Sequence, residues 1–236
     1  MKLLQRGWQG FLNLFLDRNC PSCGRATSTS LCVYCTRSLA ACRLENPTIR
    51  SQANYPVLVW GGYRGTLKRA IATMKYHHHP EIGLLLGNWL GEIWWEYGDL
   101  FRKSGHPSSW GDYIVIPIPL HAHKQKQRGF NQAEIIGKGF CQITQMKLVP
   151  QGLVRVRDTK AQHLLGERDR LTNLTAAFQV GTVLTRYPSR PIILVDDIYT
   201  TGATVSAAME TLLQHRHPVV GVVAVATSTS ESLTKN

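Results

Sequence analysis

The sequence predicts an α/β protein, a parallel sheet flanked by helices with a small cysteine module ahead of it. Three observations predict it. Ile192 to Val195 is a branched apolar run that leads into two carboxylates and a hydroxyl-rich turn. Tyr113 to Ile116 and Val219 to Thr227 are further apolar runs, with stretches of helical period between the runs. Two Cys-x-x-Cys pairs stand near the amino end. Strands covered on both faces read as continuous apolar runs, and amphipathic segments between them supply the crossovers. At 236 residues the chain suits one such domain with an appendage. Residues 1–50 are expected to form an amino-terminal helix and the cysteine module, and residues 55–236 the sheet domain.

The segment from Ile192 to Thr204 carries the chemistry. Asp196 and Asp197 stand where the strand is expected to end. Successive strand side chains face opposite ways, so both carboxylates reach one ligand only if the chain turns there. The turn Thr200, Thr201, Gly202, Ala203 and Thr204 offers backbone N–H groups and three hydroxyls. It opens a helix expected from about Ala203 to Gln214, whose positive end attracts phosphate. The acidic pair can accept hydrogen bonds from two vicinal ribose hydroxyls, at the carboxyl edge where open α/β sheets bind ligands. An ordinary helix cap needs one Asp or Thr, not this series. A nucleotide-hydrolysing strand would need a G-x-x-x-x-G-K-[ST] loop, which the sequence lacks.

Twenty-seven Lys and Arg against 15 Asp and Glu leave a net charge of +12, which calls for anionic partners. Residues 121–170 hold ten of those cations and four acids, half of the excess. Lys124, Lys126 and Arg128 lie close together there, beside the expected ligand edge, and are candidates for tracking the phosphates of a single strand.

Met1 to Leu16 has an apolar run that Asn13 interrupts, without a small-residue cleavage site, and reads as a helix packed on the body rather than a secretory signal. Ile82 to Tyr97 has apolar residues at helical spacing, broken by Glu92 and Glu96 and too short to cross a bilayer. Gly83, Gly87 and Gly91 line one flank of it, where another element can come close. No membrane insertion and a cytoplasmic protein are the expectation. In that reducing setting Cys20, Cys23, Cys32 and Cys35 read as a closed, structural Zn²⁺ site rather than two disulfides. Cys42 and Cys141 read as ordinary thiols.

Elsewhere, Asn46 to Pro56 reads as a linker and Val57 to Trp60 as a strand. Thr66 to Tyr76 reads as a helix burying Leu67, Ala70, Ile71 and Met74. Lys75 is placed to reach a phosphate, whereas Arg64, Lys68 and Arg69 read as a solvated face. His77, His78 and His79 are adjacent and cannot converge on one ion. Pro117, Ile118, Pro119 and Leu120 make a stiff bend after a strand, and Asn131 caps a helix to about Ile143. Leu153 to Phe178 starts as a strand, turns polar and basic, and suits a flap that closes on an anion.

Taken together these pieces resemble the ComF family. The resemblance rests on the paired Cys-x-x-Cys knuckles, Tyr63 with Lys75, Pro117 to Leu120, the string Arg128-Gly129-Phe130-Asn131-Gln132, and Arg155-x-Arg157-x-Thr159-x-x-Gln162. Arg168, Asn173 and Phe178 and the segment 192–204 complete it. It implies a zinc-ribbon-like module on a type I phosphoribosyltransferase domain that binds phosphoribosyl pyrophosphate (PRPP) with Mg²⁺. Thr200 to Thr204 would then hold the 5′-phosphate and Asp196 with Asp197 the ribose hydroxyls. Pro117, Ile118 and Pro119 would flank the pyrophosphate, and Arg155, Arg157, Gln162 and Arg168 would belong to the flap. The resemblance also implies a role in handling single-stranded DNA alongside competence proteins. Two activities fit: transfer of phosphoribosyl to an acceptor, or PRPP sensing by a non-catalytic DNA-binding protein.

Overall fold

The computed structural model describes residues 18–50, 55–102, 109–156 and 177–228. The expected amino-terminal helix, the flap candidates Arg157, Gln162 and Arg168, and the tail lie outside the described residues. The chain opens with an antiparallel pair, β1 (Arg18–Asn19) and β2 (Ala26–Thr27), followed by α1 (Val33–Ala40). Then come β3 (Thr48–Arg50), β4 (Pro56–Gly62), α2 (Gly65–Tyr76), α3 (Pro80–Tyr97) and β5 (Ile114–Pro117). A short α4 (Ala122–Arg128), α5 (Gln132–Thr144) and β6 (Lys147–Leu148) lead to β7 (Leu153–Arg155) and β8 (Phe178–Val180). The last elements are β9 (Ile192–Tyr199), α6 (Ala203–Gln214) and β10 (Val219–Thr227).

Six strands form the central sheet in the order β3, β4, β10, β9, β5, β6. All neighbours are parallel except the edge pair β3 and β4. β3 occupies residues read from sequence as linker. Its three residues fold back on β4, with Ile49 opposite Val57, and the Val59 N–H donates to the Pro47 carbonyl at 2.7 Å. An edge strand of three residues carries too short a pattern to stand out from a turn-rich stretch.

Alternate residues of each central strand go to opposite faces. Leu58, Val115, Ile193, Val195 and Val223 pack with α2, α3 and α5. Val57, Ile114, Ile116, Ile192, Leu194, Val222 and Ala224 pack with α6 and the antiparallel β7–β8 pair. With both faces covered, the strands had to read as continuous apolar runs.

α3 and α5 cross at backbone contact, as the glycine flank of α3 predicts. A Cβ on Gly87 would collide with the Ile136 carbonyl, and one on Gly91 would lie 2.7 Å from Ile143 Cβ. α2 runs across the carboxyl edge of the sheet instead of down its face. Leu67 at its start packs over Gly61 at the end of β4, and Lys75 at its end reaches Asp197 on β9, two strands away.

Replacing Gly87 by Ala should therefore push α3 off α5. Overpacking of this kind costs about 2 kcal/mol, a drop of roughly 4–8 °C in the thermal midpoint for a chain of this size. A melt unchanged by Gly87→Ala would show that the two helices separate freely.

Candidate functional site

The crossover after β5 leads outward through α5 to β6, and the crossover after β9 leads the other way through α6 to β10. Adjacent strands whose connections leave in opposite directions open a crevice at their carboxyl ends. Here β5 lets go first. Its pairing ends with Pro117 opposite Val195, and the Ile118 N–H donates to the Val195 carbonyl at 2.9 Å. β9 continues to Tyr199, held on its other side by β10.

The strand thus does not end at the carboxylates, as the sequence reading expected. Its side-chain alternation nonetheless slips there. Val195 packs on the α5 side, but beyond the acidic pair it is Ile198 that returns to that side, while Tyr199 packs on the α6 side. The slip falls on Asp196 and Asp197, which is the local departure that a shared approach to one ligand requires.

Asp197 forms an ion pair with Lys75, Oδ2 to Nζ 2.7 Å, and the two side chains are only 15% and 13% exposed. Asp196 has no such direct partner among the described residues; its Oδ1 accepts the Asp197 N–H at 2.8 Å. Burial, and after it the charge of Asp197, pushes the Asp196 carboxyl up to about 8, against the opposing pull of the Asp197 N–H, Lys75 and Arg155. Arg155 ends β7, its guanidinium 5.6 Å from the centre of the Phe178 ring.

The turn beyond β9 is shaped by Gly202, at φ +78°. A Cβ there would lie 2.6 Å from the Tyr199 hydroxyl and 3.1 Å from that of Tyr55, and those hydroxyls are 3.3 Å apart. Glycine is needed both for its conformation and for its lack of bulk. Thr201 Oγ1 accepts the Ala203 N–H at 3.4 Å, and no side chain caps α6. The first turn of that helix therefore presents its N–H groups toward the crevice mouth.

On the opposite wall stand Pro117, Ile118 and Pro119, with Asn131 fastening them. Asn131 Nδ2 donates to the Ile118 carbonyl at 3.1 Å, while its Oδ1 accepts the Ala133 N–H and caps α5, as the sequence predicts. The structure thus brings Asp196, Asp197, Thr200 to Thr204, Pro117 to Pro119 and Lys75 to one edge. Lys124 and Lys126 lie on α4, which follows the Pro loop; Lys126 is exposed. Arg128 instead turns inward, donating from Nη1 to Gln132 Oε1 at 3.0 Å and lying 5.3 Å from the centre of the Tyr76 ring. Sequence reasoning missed Gln132 and Tyr55. The available signal was a polar residue at 132 on the apolar stripe that continues at Ile136 and Phe140.

The cysteine module is separate from this crevice. Gly24, at φ +75°, closes the first knuckle, its N–H donating to the Cys20 carbonyl at 2.8 Å. Cys32 stands at the N-cap of α1. The Cys35 N–H pointing at its sulfur lowers the Cys32 thiol to about 6. The four Sγ atoms lie within 4.8 Å of one another. A tetrahedral ion at about 2.3 Å from each sulfur needs separations of about 3.8 Å, which fall within that limit, so the cluster can hold a structural metal such as zinc. Cys42 and Cys141 lie outside it, and burial pushes Cys141 up to about 12.

No family model matches the chain. Individual relatives do. Competence protein F of Haemophilus influenzae is 34% identical over 92 residues, covering 39% of this chain and 40% of that protein, less than two thirds of its length. DNA utilization protein YhgH of Escherichia coli is 29% identical over 212 residues, 86% of this chain and 87% of the relative. Competence protein ComFC of Bacillus subtilis is 25% identical over 196 residues, 83% and 71% of the two chains. Over most of its length the chain is thus similar to proteins named for competence and DNA utilization. No helix among the described residues is long and apolar enough to cross a membrane.

The raised Asp196 carboxyl makes stability depend on pH. Its folded value, about 8, lies above the ordinary 3.8, so between those values the folded state holds a proton that the unfolded state has released. Stability from this group is complete below about pH 4 and is lost as pH rises through 8. Asp196→Asn should flatten the fall of the thermal midpoint between pH 5 and 8. An unaltered pH profile in the variant would place the titration elsewhere.

Proposed function

We propose that this chain, as a ComF-family protein, binds PRPP in the crevice between β5 and β9 and transfers its phosphoribosyl group to an acceptor, in the handling of DNA taken up from outside. The observation that carries the proposal is the convergence of the acidic pair, the Thr200 to Thr204 turn and the Pro117 to Pro119 loop at one topological switch point. The printed names of the relatives, competence protein and DNA utilization protein, support the link to DNA.

In the reaction the bond from the ribose C1′ to pyrophosphate breaks and a bond to the acceptor forms. The protein's tasks are to hold the sugar, receive the leaving charge and keep water away. The N–H groups and hydroxyls of Thr200 to Thr204 take the 5′-phosphate. Asp196 and Asp197 accept hydrogen bonds from the ribose hydroxyls, and Lys75 pairs with Asp197. Pro117, Ile118 and Pro119 form a stiff wall beside the pyrophosphate. Arg155 lies at the root of the segment with Arg157, Gln162 and Arg168, which would close over the ligand. Mg²⁺ bound with the pyrophosphate would neutralise part of the leaving charge.

The module within residues 1–50 would hold one structural Zn²⁺ through Cys20, Cys23, Cys32 and Cys35, beside the sheet domain of residues 55–236. Four thiolates close the coordination sphere, so such an ion stabilises and does not react.

Calorimetric titration with Mg²⁺ and PRPP tests the crevice. Charge-assisted bonds contribute about 1.5–3 kcal/mol each, so Asp196→Asn with Asp197→Asn should weaken binding at least about tenfold. Undiminished affinity in a folded double variant would remove PRPP from this edge.

A second reading, PRPP sensing by a single-strand-binding protein, is favoured by the position of α4. Its cations follow directly on the Pro loop, and no acidic residue stands between Tyr113 and Ala133. Affinity for an oligonucleotide should then fall steeply with salt, and Lys124→Ala with Lys126→Ala should weaken all sequences alike and flatten that slope. Salt-independent binding would exclude this face as the track.

A further inference from the structure

Gln132 Nε2 is buried and has no hydrogen-bond partner among the described residues. The residue is 1% exposed. The bond from Arg128 Nη1 to Oε1 fixes the amide, so Nε2 is the end that turns away from Arg128. A buried donor left unmade is costly and rare enough to need a reason.

Two independent lines bring this amide to the edge of the sheet where Asp197 stands. Along α5, Gln132 heads the stripe that continues at Ile136 and Phe140, and these pack in the same cluster as Val195. A Cβ on Gly137 would lie 3.2 Å from Val195 Cγ1. From Gly137 back to Gln132 the helix climbs about 7.5 Å, and from Val195 to Asp197 the strand climbs about 6.7 Å. The two residues come level at the carboxyl edge. Across α2, Arg128 lies over Tyr76 while holding Gln132, and the neighbouring Lys75 holds Asp197. The orphaned donor therefore lies toward the same edge as a carboxylate that already has a cation.

We propose that Gln132 is a positioning residue for Asp197, taking over its carboxylate when Lys75 swings to a phosphate of the incoming ligand. The trigger rests on the PRPP reading; the competition between amide and ammonium does not. Lys75 carries a mobile ammonium on a four-carbon stem at the end of α2, suited to follow an anion. Its departure alone would strand a largely buried acidic side chain without its partner. The Gln132 N–H meets that need without adding a charge that would repel the phosphates' counter-cations.

Thermal melting of four full-length proteins, without ligand, tests the exchange. In the wild-type background Gln132→Leu removes an unpaired donor together with the acceptor of the Arg128 bond, and these opposed effects should leave the midpoint within about 2 °C. In the Lys75→Met background Asp197 is released to Gln132, and the same substitution should lower the midpoint further. A larger fall in the Lys75→Met background supports the exchange, and a change of equal size in both backgrounds overturns it. Should Lys75→Met fail to fold, the Gln132 side-chain amide signals of labelled wild-type protein answer the same question. Adding Mg²⁺ and PRPP should shift them strongly, and signals that stay in place overturn the proposal. Gln132→Leu should also weaken PRPP about tenfold with little change in its midpoint, whereas undiminished affinity counts against the role. Wild-type protein that binds no PRPP would refute the proposed function and leave the melting comparison to decide the exchange.

Discussion

β10 holds β9 extended past the point where β5 has let go, and the crevice depends on that difference in length. Parallel neighbours cannot end together when their crossovers leave in opposite directions, because each connection must climb away over its own side of the sheet. β5 turns off at Pro117, where two prolines forbid a return to the ladder. β9 goes on for four residues, Asp196 to Tyr199, with one flank paired and the other open. Those four residues are the floor from which the acidic pair and the Thr200 turn are presented.

The environment of the floor divides two identical side chains. Asp197 lies under the end of α2 and has a cation at hydrogen-bond distance. Among the described residues Asp196 has a backbone N–H and more distant charges, and its carboxyl is held nearer neutrality. Two adjacent carboxylates cannot both ionise cheaply in a half-buried place. Two acids with one described cation in direct contact, and the charge of Arg155 also acting on Asp196, leave a site that is favourable for a polyol and its counter-cation and unfavourable when empty. The unpaired Gln132 amide adds to the same imbalance. A resting state that carries unmet donors and crowded acids has free energy to regain when a ligand arrives.

Much of this was legible in the sequence because burial writes long patterns. Val219 to Thr227 and Ala203 to Gln214 fall where the apolar run and the helical period place them. The stripe Leu67, Ala70, Ile71 and Met74 is buried as its spacing requires, and Gly87 and Gly91 of α3 do meet another backbone, while Gly83 meets side chains. The cysteine spacing likewise anticipates a convergent cluster. Features of three or four residues were less legible. The edge strand Thr48–Arg50 reads as linker because an exposed edge needs no apolar run, and α4 reads as a basic stretch because its seven residues bury no stripe.

At the site, the sequence by itself determined which chemical groups are present: an acidic pair, a hydroxyl-rich turn closed by a glycine, a stiff Pro loop and a capped helix behind it. Each of these is local, written within about a dozen residues, and local order is what periodicity and turn chemistry encode. Only the tertiary structure decided how they are paired. Lys75 and Asp197 are far apart in sequence, as are Tyr55 and Tyr199, and the row from Tyr76 through Arg128 to Gln132 joins two crossovers. Such contacts follow from the order of strands in the sheet and from a helix lying across its edge, which no single segment specifies, because the free energy that selects them is shared over the whole core.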